Sequence, residues 1–340
     1  MGKATIKDVA ELSGLAIGTV SKYLNGGRLK KDNRARVEEA IEKLGYQVDE
    51  YARGLITHKT KTVGILLPEL DNAFYGKIVS KIEENLSRCG YVAVVRDSRR
   101  DHESELKSIR WFASRRVDGI IMVPCCNRAE DYALLHNIGI PILFLDMYVE
   151  GLDVEFVIVD NCTIAKKGVS YLLDRGHREI AVVCAPEGVY TADRRLEGYR
   201  QAFAEKGISF REENIYRVEE DVDKAYRLIR DIFRKKGCTA LFASNLPSLY
   251  GALFAVNELK LYIPRDISLL GFDDMMFTKI VRPKPTIIDQ PIDKIAEVAG
   301  RRIVQLIGQS GKYEYGMNCL ECSLNLGESV SDLRTEGGML

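Results

Sequence analysis

The chain has 340 residues, more than one ordinary domain holds, and its 46% hydrophobic and 29% charged residues suit packed cores with a solvated exterior. No apolar run approaches the roughly eighteen residues that a membrane-spanning helix needs. Net charge is zero but divided: residues 1–61 carry eight Lys and four Arg against three Asp and five Glu, a net +4, so the rest carries −4.

The net charge of zero argues against a protein coated in positive charge. A basic head on an acidic body points to an anionic partner at one end, nucleic acid first, although a solvated lysine face explains the charge alone equally well. The first pattern, Thr5-Ile6-Lys7-Asp8, has the spacing of a capping box, with Ile6, Val9, Ala10 and Leu12 or Ser13 at helical intervals and Gly14 as the stop. The second, AIGTVSKYLNG over residues 16–26, places Val20 and Leu24 on one face. It lacks a capping oxygen at Ala16 and carries a glycine at position 18. The third runs from about Asp32 to Leu44, with Val37, Ala40, Ile41 and Leu44 aligned and Gly45 as C-cap. Two short helices joined by a three-residue turn and braced by a third form the helix-turn-helix plan.

The blocks TIKDVAELSG, TVSKYLNG, RVEEAIEKLGY and YARGL resemble, in order and spacing, the DNA-binding head of the LacI family of bacterial transcription regulators. The resemblance implies that the second helix enters the major groove and presents its first turns to base edges. The family commonly has a capping serine where this chain has Ala16 and a polar or bulky reader where it has Gly18. A glycine there either omits a base contact or lets the backbone approach closely. Direct readout would fall to Ile17, against a thymine methyl, and to Lys22, donating to guanine. The alternatives are that Ile17 packs inside the head and that Lys22 holds a phosphate. Thr19, Ser21 and Asn33 suit phosphates, and Thr5, Gly18 and Asn25 complete the expected interface. Lys30 stands where the family usually has a capping serine, so Asp32 is expected to cap the third helix. In QVDEYARGLITHKT, Leu55 matches the leucine that the family wedges into the minor groove from a hinge helix.

From Thr62 onward, TVGILL, YVAVV, DGIIMV, IPILFL, FVIV, REIAVV, TALFA and ISLLGF alternate with amphipathic stretches, as parallel strands buried on both faces do. They divide near residue 161 into two groups. This resembles the two-lobed, periplasmic-binding-protein-like effector domain of the family. The expected fold is therefore a small all-α helix-turn-helix domain over residues 1–46 and a hinge or linker helix over 47–61. An α/β two-lobed domain with parallel sheets follows over 62–340. Its N-lobe would take about 62–160 and 291–320, and its C-lobe about 161–290 and 321–330.

Open parallel sheets bind ligands beyond the carboxyl ends of their strands. Asp71, Asn72 and Phe74 after the first strand, Asp146 after ILFL, Asn245 after LFAS and Asp273 after LLGF stand there. Carboxylates and amides beside an aromatic ring suit a polyhydroxylated ligand. Arg195 matches the family's ligand-binding arginine, and Thr191 fits the same wall. Three departures bear on the ligand: Asn72-Ala73-Phe74-Tyr75 for Asn-Pro-Phe-Phe, Asn245-Leu246 for Asn-Asp, and Glu220 near a position where relatives place an aromatic platform. A more polar pocket favours a sugar over a purine.

Cys319 and Cys322 form a lone CxxC without a second pair at metal spacing, so neither metal nor cofactor is expected. Cys125 and Cys126 read as packing or pocket lining, and His177 as a structural turn. Eight cysteines without an apolar signal core in MGKATIKDVAEL suit reduced thiols in the cytoplasm. The expectation is a DNA-binding regulator of the LacI type, a repressor controlled by a small-molecule effector, most simply a sugar or sugar derivative. It would bind a pseudo-palindromic operator as a homodimer, because SDLRTEGGML lacks the heptad helix of tetrameric relatives. A solute-binding protein and a sugar-converting enzyme are the rivals. The absent signal peptide and basic head count against the first, and the lack of an acid–base pair against the second.

Overall fold

Among the described residues, three helices make up the head. The computed structural model describes residues 4–24, 26–46, 59–273, 275–309 and 313–336. They fall into two units, Met1–Lys61 and Thr62–Leu340.

Helix α1 (Ile6–Ser13) opens with the capping box: Asp8 N–H donates to Thr5 Oγ1 at 3.4 Å, and Thr5 N–H to Asp8 Oδ2 at 2.7 Å. The Thr5 N–H and hydroxyl, both donating to Oδ2, hold the Asp8 carboxyl below its ordinary range. Gly14 ends α1 at φ 63°, where a side chain would be strained and a Cβ would stand 2.5 Å from Arg36 Nη2. Helix α2 (Ile17–Leu24) starts without a side-chain oxygen at Ala16, whose carbonyl accepts from Thr19 N at 2.8 Å. Helix α3 (Lys31–Leu44) corrects one expectation. Its N-cap is Lys30, without a side-chain capping bond, and Asp32 lies inside the first turn. The backbone becomes helical two residues earlier than a cap at Asp32 requires, so the carboxylate faces the dipole only as a charge. Val9, Ala10, Val20, Val37 and Ala40 form the core of the head. Outside it, Tyr23 Oη donates to Glu38 Oε1 at 2.7 Å, tying α2 to α3.

The second unit holds two six-stranded sheets. The first contains β1 (Thr62–Leu67), β2 (Val92–Asp97), β3 (Gly119–Met122), β4 (Ile142–Leu145), β5 (Glu155–Val159) and β11 (Met317–Leu320), in the order β11-β5-β4-β3-β1-β2 and parallel throughout. The second contains β6 (Ile180–Cys184), β7 (Ile215–Arg217), β8 (Ala240–Ala243), β9 (Ser268–Phe272), β10 (Thr286–Asp289) and β12 (Ser323–Asn325), in the order β12-β10-β9-β8-β6-β7. Here β12 runs antiparallel to β10, an exception to the all-parallel expectation. It is the edge strand, and the chain enters it directly from β11 of the other lobe, from the side at which β10 ends, so it runs opposite to β10.

Both faces of each sheet are covered, which is why the strands read as unbroken apolar runs. In β1, Ile65 and Leu67 pack against α4 (Ala73–Arg88) and α10 (Ile292–Gly308) through Ile78, Ile82, Ile295 and Ile303. Leu66 faces the other way, toward Ile109 and Phe112 of α5 (His102–Ser114). The second sheet is clad by α6 (Asn161–Asp174) and α7 (Tyr190–Glu205) on one face and by α8 (Val222–Lys235) and α9 (Leu246–Glu258) on the other. The chain passes between the lobes three times, at β5 to α6, β10 to α10 and β11 to β12. At the first lobe's edge, the fully buried Glu155 accepts from Arg302 Nε at 2.6 Å and Nη2 at 2.8 Å, from Gly316 N at 2.7 Å and from Asn318 Nδ2 at 2.8 Å. The bidentate pair joins β5 to α10, and the bonds from Gly316 and Asn318 add β11.

Helices α6 and α7 cross at Gly198, where a Cβ would stand 2.2 Å from the Cys162 carbonyl oxygen and 2.8 Å from Lys166 N. Both neighbours are backbone, so neither can swing aside. Gly198→Ala should therefore destabilise the second unit by about 3 kcal/mol, at the upper end of overpacking costs. Denaturant titration of the purified variant checks this; an unchanged midpoint would show that the helices separate freely.

Candidate functional site

Two aspartates occupy matching places in the two lobes. Asp146 follows β4 at φ 65° and donates its N–H to Val157 O at 3.0 Å. Asp273 follows β9 at φ 74° and donates its N–H to Ile288 O at 2.8 Å. Aspartate is among the few residue types that tolerate this left-handed backbone. Each carboxyl is thereby turned out at its strand's end toward the space between the lobes.

Arg195 on α7 lies between them in charge, and its position is fixed. Nε donates to Asn161 Oδ1 at 2.7 Å and Nη1 to Ser244 O at 2.6 Å, while the guanidinium carbon sits 3.5 Å from the Phe272 ring centroid. Only 5% of the residue is exposed. Burial raises both aspartate carboxyls to about 6, against the opposing field of Arg195. Glu220 raises Asp146 further, and Gln290 Nε2 restrains Asp273 by donating to Oδ1 at 2.8 Å. Gln290 Oε1 is buried without a hydrogen-bond partner. Gln290, Asp146, Phe74, Leu145 and Val159 line one small cavity. Tyr75, beside Asp146, has its hydroxyl pushed well up by burial and by the Asp146 and Glu220 charges. Arg100 binds Glu69 of its own lobe at 2.8 Å and Glu220 of the other.

Of the residues expected at strand ends, Phe74, Asp146, Arg195 and Asp273 come together here. Thr191 is buried in the first turn of α7. The side-chain oxygens of Asn72 and Asn245 are engaged as helix caps, accepting from Phe74 N at 3.0 Å and Ser248 N at 2.9 Å. Asp71 is exposed on an open recess with Asp97 and Arg100. Tyr75, Asn161, Gln290 and Arg100 belong to the cluster without having been expected there. Asn161 follows the run FVIV, so the strand-end rule could have found it. Gln290 follows the short strand TIID, which carries no such signal. Cys319 is exposed, whereas Cys322 is packed against the cores of both lobes.

On the head, Ile17 is 46% exposed and stands outside the core, which removes the alternative that it packs there. Gly18 is exposed, and a Cβ on it would meet nothing within 4 Å. Lys22 is exposed, with its stem against Gly27. Thr19, Ser21 and Asn33 are half-buried, and the Thr5 hydroxyl serves the cap of α1. Asn25 and Leu55 lie outside the described residues.

Comparison with known proteins settles the family. Residues 60–315 match the profile of periplasmic binding proteins and the sugar binding domain of the LacI family, and residues 5–49 match that of bacterial regulatory proteins, lacI family. The chain belongs to the LacI family. Catabolite control protein A of Priestia megaterium is 28% identical over 90% of this chain and 93% of its own length. The HTH-type transcriptional repressor PurR of Klebsiella pneumoniae is 31% identical over 89% and 90%. Among solved structures, the Lac repressor dimer bound to operator and the anti-inducer ONPF superposes with a TM-score of 0.85 at 23% identity, covering 97% of this chain and all of that one. The regulator CelR in complex with cellobiose superposes at 0.72 with 25% identity, over 96% and 100%. As a LacI-family member the chain is a DNA-binding transcription regulator, not an enzyme.

The two raised carboxyls of this regulator have a thermodynamic signature. Their ordinary value is 3.8, so between about pH 4 and 6 the folded form holds protons that the unfolded chain has released. Their contribution to stability is complete below that window and lost as pH rises through about 6. Replacing both by asparagine removes the dependence. The stability of Asp146→Asn/Asp273→Asn relative to the natural chain should rise across the window by roughly 2–3 kcal/mol per carboxyl and then level off. Thermal melts of both proteins at several pH values read this directly, and parallel curves would refute it.

Proposed function

We propose that this regulator is a repressor that binds a pseudo-palindromic operator as a homodimer, and that a neutral polyhydroxylated molecule, a sugar or sugar derivative, sets its operator affinity from the cleft between the lobes. The observation that carries the ligand class is the excess of acceptors in that cleft. Asp146, Asp273 and the orphaned Gln290 Oε1 all want donors, and sugar hydroxyls supply them. Arg195 is already engaged at Asn161, Ser244 and Phe272, and Arg100 at Glu69 and Glu220, so neither is a free cation for an anionic ligand. Phe74 offers the apolar face on which a sugar ring stacks. The sugar-binding description of the family profile and the cellobiose complex of CelR support this class, and the relatives' names support repression.

In this reading α2 lies in the major groove. Ile17 and Lys22 read bases, Gly18 brings the backbone close, Thr19, Ser21 and Asn33 hold phosphates, and Thr5 and Asn25 complete the interface. Leu55 wedges into the minor groove at the operator centre. Each protomer then occupies one half-site, and the effector shifts operator affinity only by its own preference between the two lobe arrangements.

Thermal-shift screening of the full chain against sugars, sugar acids and nucleobases identifies the class; stabilisation by a nucleobase alone would overturn the sugar reading. For the ligand found, Asp273→Asn should weaken binding by about 2–5 kcal/mol in calorimetry. Wild-type affinity would remove Asp273 from the site. Lys22→Ala should cost about 1–3 kcal/mol on the selected operator and relax preference at one symmetric base pair. A uniform loss on every sequence would make Lys22 a phosphate contact instead.

A further inference from the structure

Beyond the cleft, one cluster has the composition of a metal centre. A ring nitrogen of His102 and the thiol sulfurs of Cys125 and Cys126 all lie within 4.8 Å of one another, and all three residues are partly exposed. His102 begins α5, and the two cysteines follow β3, so three rigidly placed side chains converge from two elements. We propose that His102, Cys125 and Cys126 bind a thiophilic divalent cation of the zinc type.

The surroundings of the histidine carry the argument as much as the ligands do. Glu105, one turn along α5, is fully buried. Its carboxylate accepts from Cys125 N at 2.9 Å and from Tyr132 Oη at 3.0 Å, and it meets His102 Nδ1 at 3.0 Å. With Nδ1–H given to Glu105, Nε2 keeps the lone pair that a cation would take. This carboxylate–histidine relation is the usual outer shell of a metal-bound imidazole, fixing both tautomer and ring orientation. Tyr132 holds the ring edge-on at 5.6 Å and, through its hydroxyl, accepts from Cys126 N at 3.1 Å. The loop carrying the cysteines is thereby anchored to the same carboxylate that orients the histidine.

Two thiolates and an imidazole select a soft or borderline cation over magnesium or calcium, and they leave a fourth tetrahedral position for water. Binding balances without redox chemistry. The two S–H bonds break, two protons pass to solvent, and the two sulfur lone pairs form bonds to the cation. The cation takes the place of the protons on two neutral thiols. A divalent charge offsets the two thiolates that replace them.

The test uses the full chain, reduced and freed of metal. Cobalt(II) alone should give a thiolate-to-metal charge-transfer band and the intense visible bands of a tetrahedral centre, saturating at one equivalent. Zinc(II) should bleach them and protect Cys125 and Cys126, located by mass spectrometry, from alkylation. Cys125→Ser/Cys126→Ser should abolish the band, whereas Cys89→Ser/Cys319→Ser should retain it. Glu105→Gln should weaken zinc binding roughly tenfold to a hundredfold in competition with a chelating dye. Zinc protection in the unmodified chain keeps the test valid should a variant fold poorly. Absence of the band from the natural chain, its survival in Cys125→Ser/Cys126→Ser, or unprotected thiols would overturn the proposal.

Discussion

The guanidinium of Arg195 is held by an amide, a carbonyl and an aromatic face, and the centre of the second unit is arranged around it. Burying Asp146 and Asp273 without a nearby cation would cost several kcal/mol for each charge. Arg195 supplies that cation incompletely, which is why both carboxyls titrate well above the ordinary range. Its own placement depends on the close approach of α6 and α7 at Gly198, since Asn161 stands on one helix and Arg195 on the other. A residue with no side chain thus fixes where a charge is held three positions away.

What could be read from the chain follows from which signals are local. The head was legible because capping boxes, glycine stops and helical spacing are short-range, and TIKDVAELSG carries all three. The exception was the start of α3, where neither Lys30 nor Asp32 supplies a cap and the backbone chose the boundary. The central strands of both sheets, β10 excepted, were legible as buried apolar runs. Strands β7, β11 and β12 were not, because IYR, MNCL and SLN are short and partly exposed at sheet edges. Losing β10 concealed Gln290, whose role is visible only once TIID is known to end at the cleft.

The candidate cleft was legible in proportion to backbone demands. Asp146 and Asp273 close strands in a conformation that aspartate tolerates, so residue type and place agree. Asparagine at a strand end signals equally a helix cap, and Asn72 and Asn245 cap their helices. The Arg100–Glu220 pair joins residues 120 positions apart, and the cluster around Glu105 gathers His102, Cys125 and Tyr132 from three segments. No local pattern announces either. Both arise where loops at the carboxyl ends of different strands meet.

The three passages of the chain between lobes have a mechanical consequence. One connection would act as a swivel and two as an axle, but three spaced connections leave the lobes little freedom to slide or twist past one another. The softest motion remaining is a bend across all three, a single degree of freedom. Under the proposed function, a ligand between Asp146 and Asp273 acts through that opening or closing angle. In that reading the ligand's chemistry is reduced to one number before it leaves the cleft.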